Sequence, residues 1–440
     1  MIDFSEKFLY HIWDAGHLQN ELKTVSGKKL TIKYHGRWNT GKGPDFINSI
    51  LEIDDQVLRG DVEIHLRTYD WIQHSHQEDS NFNKVILHVV FQHNNNCEYT
   101  IKEDGTLAEI LELKDILDMN ITKLLQKYPD TYLEKEHLCD FFSGMDVSQT
   151  EKILQFLGTR RIDKKISRFK AETELIDWEQ LLFQSLFESL GYSKNKFQMW
   201  QIATGIPYKK LHEFYRNGMS YEEMISIWLG SSSLFDHLPK TFSRDFISKW
   251  KNKYADQNYL TNYFEINWNL FRLRPSNHPA IRLIQISDLI YSSFETSLEK
   301  YLLKTFSLPK DNFDLKTFKK KYYQIFDCNS DIISDKYKIG KQRSDTIAVN
   351  IILPLMIIFA QKNSFFQLEK SIKEILFSYS GNPSNAIIKH METGMEYFQK
   401  KLIRKKAIYQ QGVFELYHNY CEHHICENCS RLKKEILEEL

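Results

Sequence analysis

The chain is poor in the residues that break or staple a fold. Proline occurs 9 times and glycine 17 times in 440 residues, too few for long flexible linkers. Cysteine occurs 6 times, which excludes a disulfide scaffold and makes a reduced, cytoplasmic location the expectation. No charge predominates: Lys and Arg together number 58, as do Asp and Glu. The balance excludes a uniformly basic surface, but not a local basic patch that could bind nucleic acid. Long apolar runs are absent. The longest lies around Ile351 to Ala360 and is interrupted by Pro354, well short of the roughly 20 residues that span a bilayer. The first residues, MIDFSEKFLYHIW, lack the basic start and apolar stretch of a secretory signal. No internal repeat of fixed period is evident, so a solenoid is not expected.

What remains is an ordinary globular composition, 42% hydrophobic and 26% charged, of a length that suggests two domains. The aromatic fraction of 14% fits a large helical core, with a base-stacking surface as the alternative. Phe8, Leu9, Ile12 and Trp13 recur at helical spacing behind Ser5, a suitable N-cap. Strand alternation then follows, over residues 30–34, 49–53 and 57–66. Asp54, Asp55 and Gln56 form a short turn between the last two. Residues 84–91 read as a buried central strand. Strands 97–102 and 106–113 flank a second turn at Glu103, Asp104 and Gly105. From Lys114 onward the period is helical. Asp177 caps a helix carrying Leu181, Leu182, Leu186 and Leu190, which Gly191 ends, and Ser220 with Glu223 forms a capping box. Further helices are expected over residues 280–294, 347–361 and 385–405. The Asn277-His278-Pro279 and Gly381-Asn382-Pro383 stretches read as turns that start helices.

The densest chemistry lies between Gly43 and His88. Gly43-Pro44-Asp45-Phe46 opens one strand, and Gly60-Asp61-Val62-Glu63-Ile64-His65 closes the next. Side chains alternate along a strand, so Asp61, Glu63 and His65 are expected on one face, with Asp45 brought beside them by the hairpin. In a PD…(D/E)xK nuclease an Asp and an Asp or Glu hold Mg²⁺ or Mn²⁺, and the metal activates water and stabilises charge on phosphate. Asp45 and Glu63 take those places here, and His65 stands where the Lys would be. Glu6 or Glu21 could add a carboxylate. His is a weaker phosphate partner than Lys at neutral pH, and the helix that normally follows that strand is not apparent. Instead Asp70, His74, His76 and Asp79 follow, with His88 on the next strand. These residues could ligate the same ion, form a separate imidazole site, or simply make a hydrogen-bonded polar loop.

Two other features bear on function. Cys421, Cys426 and Cys429 cluster at the end of the chain beside His418, His423 and His424, and a C-x-x-C pair is a usual bite for Zn²⁺ or an iron–sulfur cluster. The fourth ligand would be Cys139, or His423 or His424. Arg160, Arg161, Lys164, Lys165 and Arg168 surround one amphipathic helix, and residues 400–406 form a second basic run. Either could follow a phosphate backbone, although such runs usually mark a solvated helix face.

The GPDF, GDVEIH, DW-x-x-H-x-H and VILHVV motifs, followed by WEQLL, LGYSKNK and the terminal cysteines, resemble the bacterial family catalogued as domain of unknown function 2851 over almost the whole chain. The resemblance implies no activity. Taken together, the expectation is an α+β fold. A restriction-endonuclease-like mixed sheet occupies residues 1–140, a helical domain residues 141–410, and a Cys/His metal-binding tail residues 411–440. The leading functional expectation is metal-dependent hydrolysis of nucleic acid, DNA before RNA, with no membrane partner. The alternatives are a non-catalytic nucleic-acid- or protein-binding module on a degenerate nuclease fold, and a β-sandwich or cupin-like domain whose metal is held by His65, His74, His76 and His88.

Overall fold

A computed structural model describes residues 4–39, 41–128, 140–192, 194–240, 242–256, 266–271, 273–306, 314–326, 338–383, 385–423 and 425–439. The first helix, α1 (Glu6–Ala15), starts after Ser5 in an extended conformation and stops at Gly16, whose φ of 69° is the left-handed geometry that glycine adopts without a Cβ clash. It buries Phe8, Leu9, Ile12 and Trp13.

Eight strands follow: β1 (Leu22–Lys23), β2 (Lys29–Tyr34), β3 (Arg37–Trp38), β4 (Phe46–Ile53), β5 (Gln56–Arg67), β6 (Val85–Gln92), β7 (Tyr99–Ile101) and β8 (Leu107–Glu112). They form one sheet in the order β1-β2-β4-β5-β6-β8-β7, with β3 paired to β4. Strands β1 through β5 pair antiparallel, whereas β5–β6 and β6–β8 are parallel. The two-residue turn Asp54–Asp55 joins β4 to β5, with Asp54 at a φ of 51°. A parallel neighbour demands a crossover. Residues 68–84 supply it through a single-turn helix, α2 (Asp70–Gln73), and two 3₁₀ turns, His76–Glu78 and Ser80–Phe82. The expected α+β architecture with a mixed sheet is therefore present, and the parallel pairs set aside a β-sandwich.

The pleat sorts the side chains. Val62 and Ile64 of β5, with Leu87 and Val89 of β6, join the core with Phe8, Leu9, Ile12 and Trp13 of α1. The intervening residues Glu63, His65 and His88 point to the other face, which carries a smaller apolar cluster of Trp71, Phe82, Val85 and Ala108. Gly60 allows the β5–β6 approach: a Cβ there would lie 2.4 Å from Ile86 Cγ2 and 2.7 Å from the Lys84 carbonyl.

The chain divides into two compact units, residues 1–175 with 384–440 and residues 176–383. The reason is the helix α4 (Val147–Glu172), which a capping box of Asp146 and Gln149 starts. It packs against β2 and the helix Ala407–Leu416. Gly158 and Gly412 set this contact, since a Cβ at Gly158 would meet the Ile408 carbonyl at 2.1 Å and one at Gly412 the Leu154 carbonyl at 2.4 Å. The segment expected as one helix over residues 385–405 is broken into Ala386–Met391, a 3₁₀ turn Glu392–Gly394, and Tyr397–Lys405.

The second unit is helical. Asp177 accepts from the Gln180 N–H to start Trp178–Leu190, and Ser220 and Glu223 form the capping box of Tyr221–Ser231. His278 caps Pro279–Ser293. Residues Lys341–Lys362 are one helical run, long and apolar enough to cross a membrane, with 67% of its apolar window buried inside the protein as in a core helix. A π-helical turn at Ala348–Ile352 precedes Pro354, which lacks a backbone N–H to donate.

Candidate metal centre

The hairpin places the two sequence-identified carboxylates together. The Asp45 backbone N–H donates to Glu63 Oε2 at 3.0 Å, and the Ile64 N–H donates to Asp45 Oδ2 at 2.9 Å. The imidazoles converge on the same point. Glu63 Oε1 lies 3.2 Å from His76 Nε2 and 3.5 Å from His65 Nε2. His65 Nε2 is in turn 3.1 Å from His74 Nδ1. Among the described residues, His65, His74 and His76 form a cluster whose ligand atoms all lie within 4.8 Å of one another. Glu63 therefore borders this imidazole cluster, and Asp45 is tied to Glu63 through its backbone N–H.

Local structure explains the convergence. His65 lies two residues beyond Glu63 on the same face of β5. His74 is the residue that ends α2, and His76 begins the following 3₁₀ turn. Phe82 stacks on His76 with ring centroids 3.8 Å apart, and Trp71 contacts both His76 and His88 at 5.3 Å. The apolar side of the crossover therefore fixes the rings. His88 stands behind His65: its Nε2 is 2.9 Å from His65 Nδ1, and its Nδ1 is 2.8 Å from Thr100 Oγ1. The tautomer in which His65 Nδ1–H donates to His88 leaves the His65 Nε2 lone pair facing Glu63 and His74. This is the arrangement in which a second imidazole orients a metal-ligating one.

The electrostatics are those of a pocket short of positive charge. Burial, then the charge of Glu63, pushes the Asp45 carboxyl well above the ordinary carboxylate range. Burial likewise raises Glu63 to about 8. Desolvation lowers His65 and His76, and takes His88 down to about 3. These rings are neutral at physiological pH, the form that ligates metal. No Lys or Arg forms an ion pair with Asp45 or Glu63 among the described residues.

Other candidate residues divide. Glu6 belongs to the site: burial raises its carboxyl, His74 opposes that shift, and the charges of Asp45 and Asp70 add to it. Tyr10, one turn further along α1, hydrogen-bonds Asp45 and is itself raised by burial. Its i+4 spacing from Glu6 is a signal that the motif-centred reading passed over. Asp70 accepts from the Arg67 N–H at 2.8 Å at the start of α2, and Asp79 caps the second 3₁₀ turn. Asp61 is engaged with the backbone of the neighbouring strand. Register shifts between Phe46 and Ser49 and between Asp61 and Val62 interrupt the pleat, and its Oδ1 accepts from the Asn48 N–H at 2.9 Å. Glu21 is exposed.

The basic residues of α4 are engaged within the first unit. Glu415, almost fully buried, lies 3.4 Å from Arg160, 3.8 Å from Arg161 and 3.5 Å from Lys164. Lys164 also pairs with Asp14 at 3.1 Å, and Lys165 donates to Gln411 at 3.0 Å. In the tail, Cys426 and Cys429 occupy the first turn of the helix Cys426–Glu439, and Cys421 ends the π-helical turn before it, with its Sγ 3.6 Å from Met391 Sδ. Cys139 and His424 lie outside the described residues.

The chain belongs to the family described as Protein of unknown function (DUF2851), whose match covers residues 6–383. No curated protein and no solved structure matches it significantly.

Proposed function

We propose that the first unit is a metal-dependent phosphodiesterase acting on nucleic acid, with DNA the preferred substrate. The observation that carries this reading is the spacing of the donor atoms around Glu63. Two donors bound about 2.1 Å from one ion at adjacent coordination positions sit roughly 3.0–3.4 Å apart. The separations Glu63–His76, His65–His74 and Glu63–His65, at 3.2, 3.1 and 3.5 Å, match that geometry. Glu63, His65, His74 and His76 would hold the ion, with Asp45 and Glu6 beside it. The imidazoles favour Mn²⁺, Zn²⁺ or Fe²⁺ over Mg²⁺.

The strand arrangement supports the phosphodiesterase reading. An Asp at the start of β4 faces a Glu on its antiparallel neighbour β5, and a helical crossover leads to a parallel strand. That is the order of a PD…(D/E)xK core, with His65 in the Lys position. A bound ion would lower the pKa of water and offset charge on a phosphate oxygen. Asp45, held by Tyr10 and the Ile64 N–H, would accept a proton from the attacking water once the charge of a bound ion favoured its carboxylate form. His88 and Thr100 hold the His65 ring, and Trp71 and Phe82 shield one side of the site from solvent.

The test is incubation of the purified chain with end-labelled single- and double-stranded DNA and RNA and Mn²⁺, Zn²⁺, Fe²⁺ or Mg²⁺, beside Asp45→Ala and Glu63→Ala. Cleavage by the wild type that both substitutions abolish is the expected result. Absence of cleavage with every metal, or equal cleavage by the variants, would overturn it.

A further inference from the structure

The second unit contains a pair of guanidinium groups that no carboxylate among the described residues neutralises. Arg282, on the helix Pro279–Ser293, is buried with 5% of its surface exposed. Its Nη1 donates to Gln285 Oε1 at 2.7 Å, and its Nη2 donates to Asn277 Oδ1 at 2.7 Å and to the Tyr192 hydroxyl. Arg343, near the start of the helical run Lys341–Lys362, stacks on the Tyr192 ring with its Cζ 3.8 Å from the centroid. Arg282 Cζ lies 4.7 Å from the same centroid. Tyr192 therefore holds two cations against one ring. It does so from a left-handed backbone conformation, φ 53°, which a non-glycine residue adopts at a cost and keeps only where its surroundings impose it.

Among the described residues, neither guanidinium has an acid within ion-pair distance. The Nε atoms of both arginines are buried and lack a hydrogen-bond partner, as is Gln285 Nε2 beside Arg282. Burial and the neighbouring Arg282 together lower Arg343 to about 10. A buried guanidinium beside a half-buried one, each with an unmet Nε donor, is costly, and an arriving opposite charge would offset that cost.

We propose that Tyr192, Arg282 and Arg343 form an oxyanion site of the phosphate class. Arg343 grips the ligand. Its stacking on Tyr192 fixes the plane of the fork, and the edge of that fork matches the paired oxygens of a phosphate. Arg282 is a positioning residue: by donating to the Tyr192 oxygen it leaves the tyrosine O–H to donate to the anion. The site unites the Leu190-Gly191-Tyr192 and Asn277-His278-Pro279 segments, which the metal centre leaves without a role. It rests on the second unit alone and holds whether or not the first unit hydrolyses phosphodiesters.

The experiment measures calorimetric binding and thermal shift of the full chain with sodium phosphate, pyrophosphate and a short single-stranded oligonucleotide, at constant ionic strength with chloride as control. Binding of at least one probe by the wild type is expected, weakened about tenfold or more by Arg343→Gln, as loss of a charge-assisted pair predicts. Arg343→Lys keeps the charge without the fork and should recover only part. Tyr192→Phe keeps the stack and should lose several-fold. Arg343-dependent binding of free phosphate assigns the site to small anions, whereas such binding of the oligonucleotide alone assigns it to a nucleic-acid backbone; both support the proposal. Should Arg343→Gln melt lower in chloride, the Arg343→Lys comparison decides. No binding of any probe by the wild type, or undiminished binding by both Arg343 variants, overturns it.

Discussion

His74→Ala tests the metal centre with little disturbance of the fold. His74 is exposed at the end of α2, and its ring touches His65 rather than the sheet core. A surface substitution of this kind changes stability by about 0.5 kcal/mol or less. Its effect on metal should be large. Loss of a partner that merely orients a ligand costs about 10–100-fold in affinity, and loss of a ligand should cost at least the upper end of that range. With metal at about 100 times the wild-type Kd, binding stabilises the wild type by about 2.7 kcal/mol, whereas a variant bound 100-fold more weakly gains only about 0.4 kcal/mol. At roughly 2–4 °C per kcal/mol for a unit of this size, the wild-type transition should rise by about 5–10 °C and that of the variant by about 1–2 °C. Differential scanning calorimetry across a Mn²⁺ and a Zn²⁺ titration reads both. Equal shifts in the two proteins would show that the metal binds elsewhere, and the absence of any shift in the wild type would remove the basis of the site.

The metal-free protein should also respond to pH through Glu63. Its carboxyl, raised by burial from 4.5 to about 8, keeps a proton in the folded state that the unfolded chain has already released. That contribution is complete below about pH 4.5 and is lost as pH rises through about 8, so the wild type should lose stability over this window relative to Glu63→Gln in chelator; parallel pH profiles would refute it. In the tail, metal analysis of the full chain should find zinc or iron–sulfur that Cys426→Ser or Cys429→Ser removes, brown protein distinguishing the cluster from colourless zinc; a wild type holding neither metal refutes the tail site. Gly158→Ala should destabilise the first unit by about 1–3 kcal/mol in denaturant titration, because its Cβ would lie 2.1 Å from the Ile408 carbonyl; unchanged stability would show that α4 and its partner helix can separate without cost.

Much of this architecture is legible where residue pattern and backbone requirement coincide. The β4–β5 hairpin, the buried β6 strand, the Asp177 cap and the Ser220–Glu223 box are all local features. The pairing of Asp45 with Glu63 follows from the hairpin for the same reason. What escapes local reading depends on distant partners. The packing of α4 on the terminal helices is set by Gly158 and Gly412, which alone look like weak points in two helices. The hydrogen bond that engages Asp61 with Asn48 lies beside register shifts, which no side-chain pattern in one strand reveals. The crossover after β5 is too short and polar to read as a helix, yet α2 is what carries His74 back to His65. Tyr10 joins the expected Glu6 beside the site through the docking of α1 on the sheet, a contact between segments with no motif in common.

On the proposed nuclease reading, a histidine rather than a lysine at residue 65 changes what the site must supply. A lysine there would add a fixed positive charge beside two carboxylates and contact phosphate directly. A buried His65, kept neutral by desolvation, adds a lone pair instead, and His74 and His76 add two more. The pocket then has two carboxyls forced upward by burial, His65 and His76 lowered by desolvation, and no lysine or arginine paired with Asp45 or Glu63 among the described residues. The positive charge set against Asp45 and Glu63 would then come from the ion. That raises the required metal affinity and shifts its preference toward ions that accept nitrogen donors. On this argument introducing a lysine by His65→Lys would not improve the site: the ammonium would compete with the metal for Glu63 and remove one of its ligands.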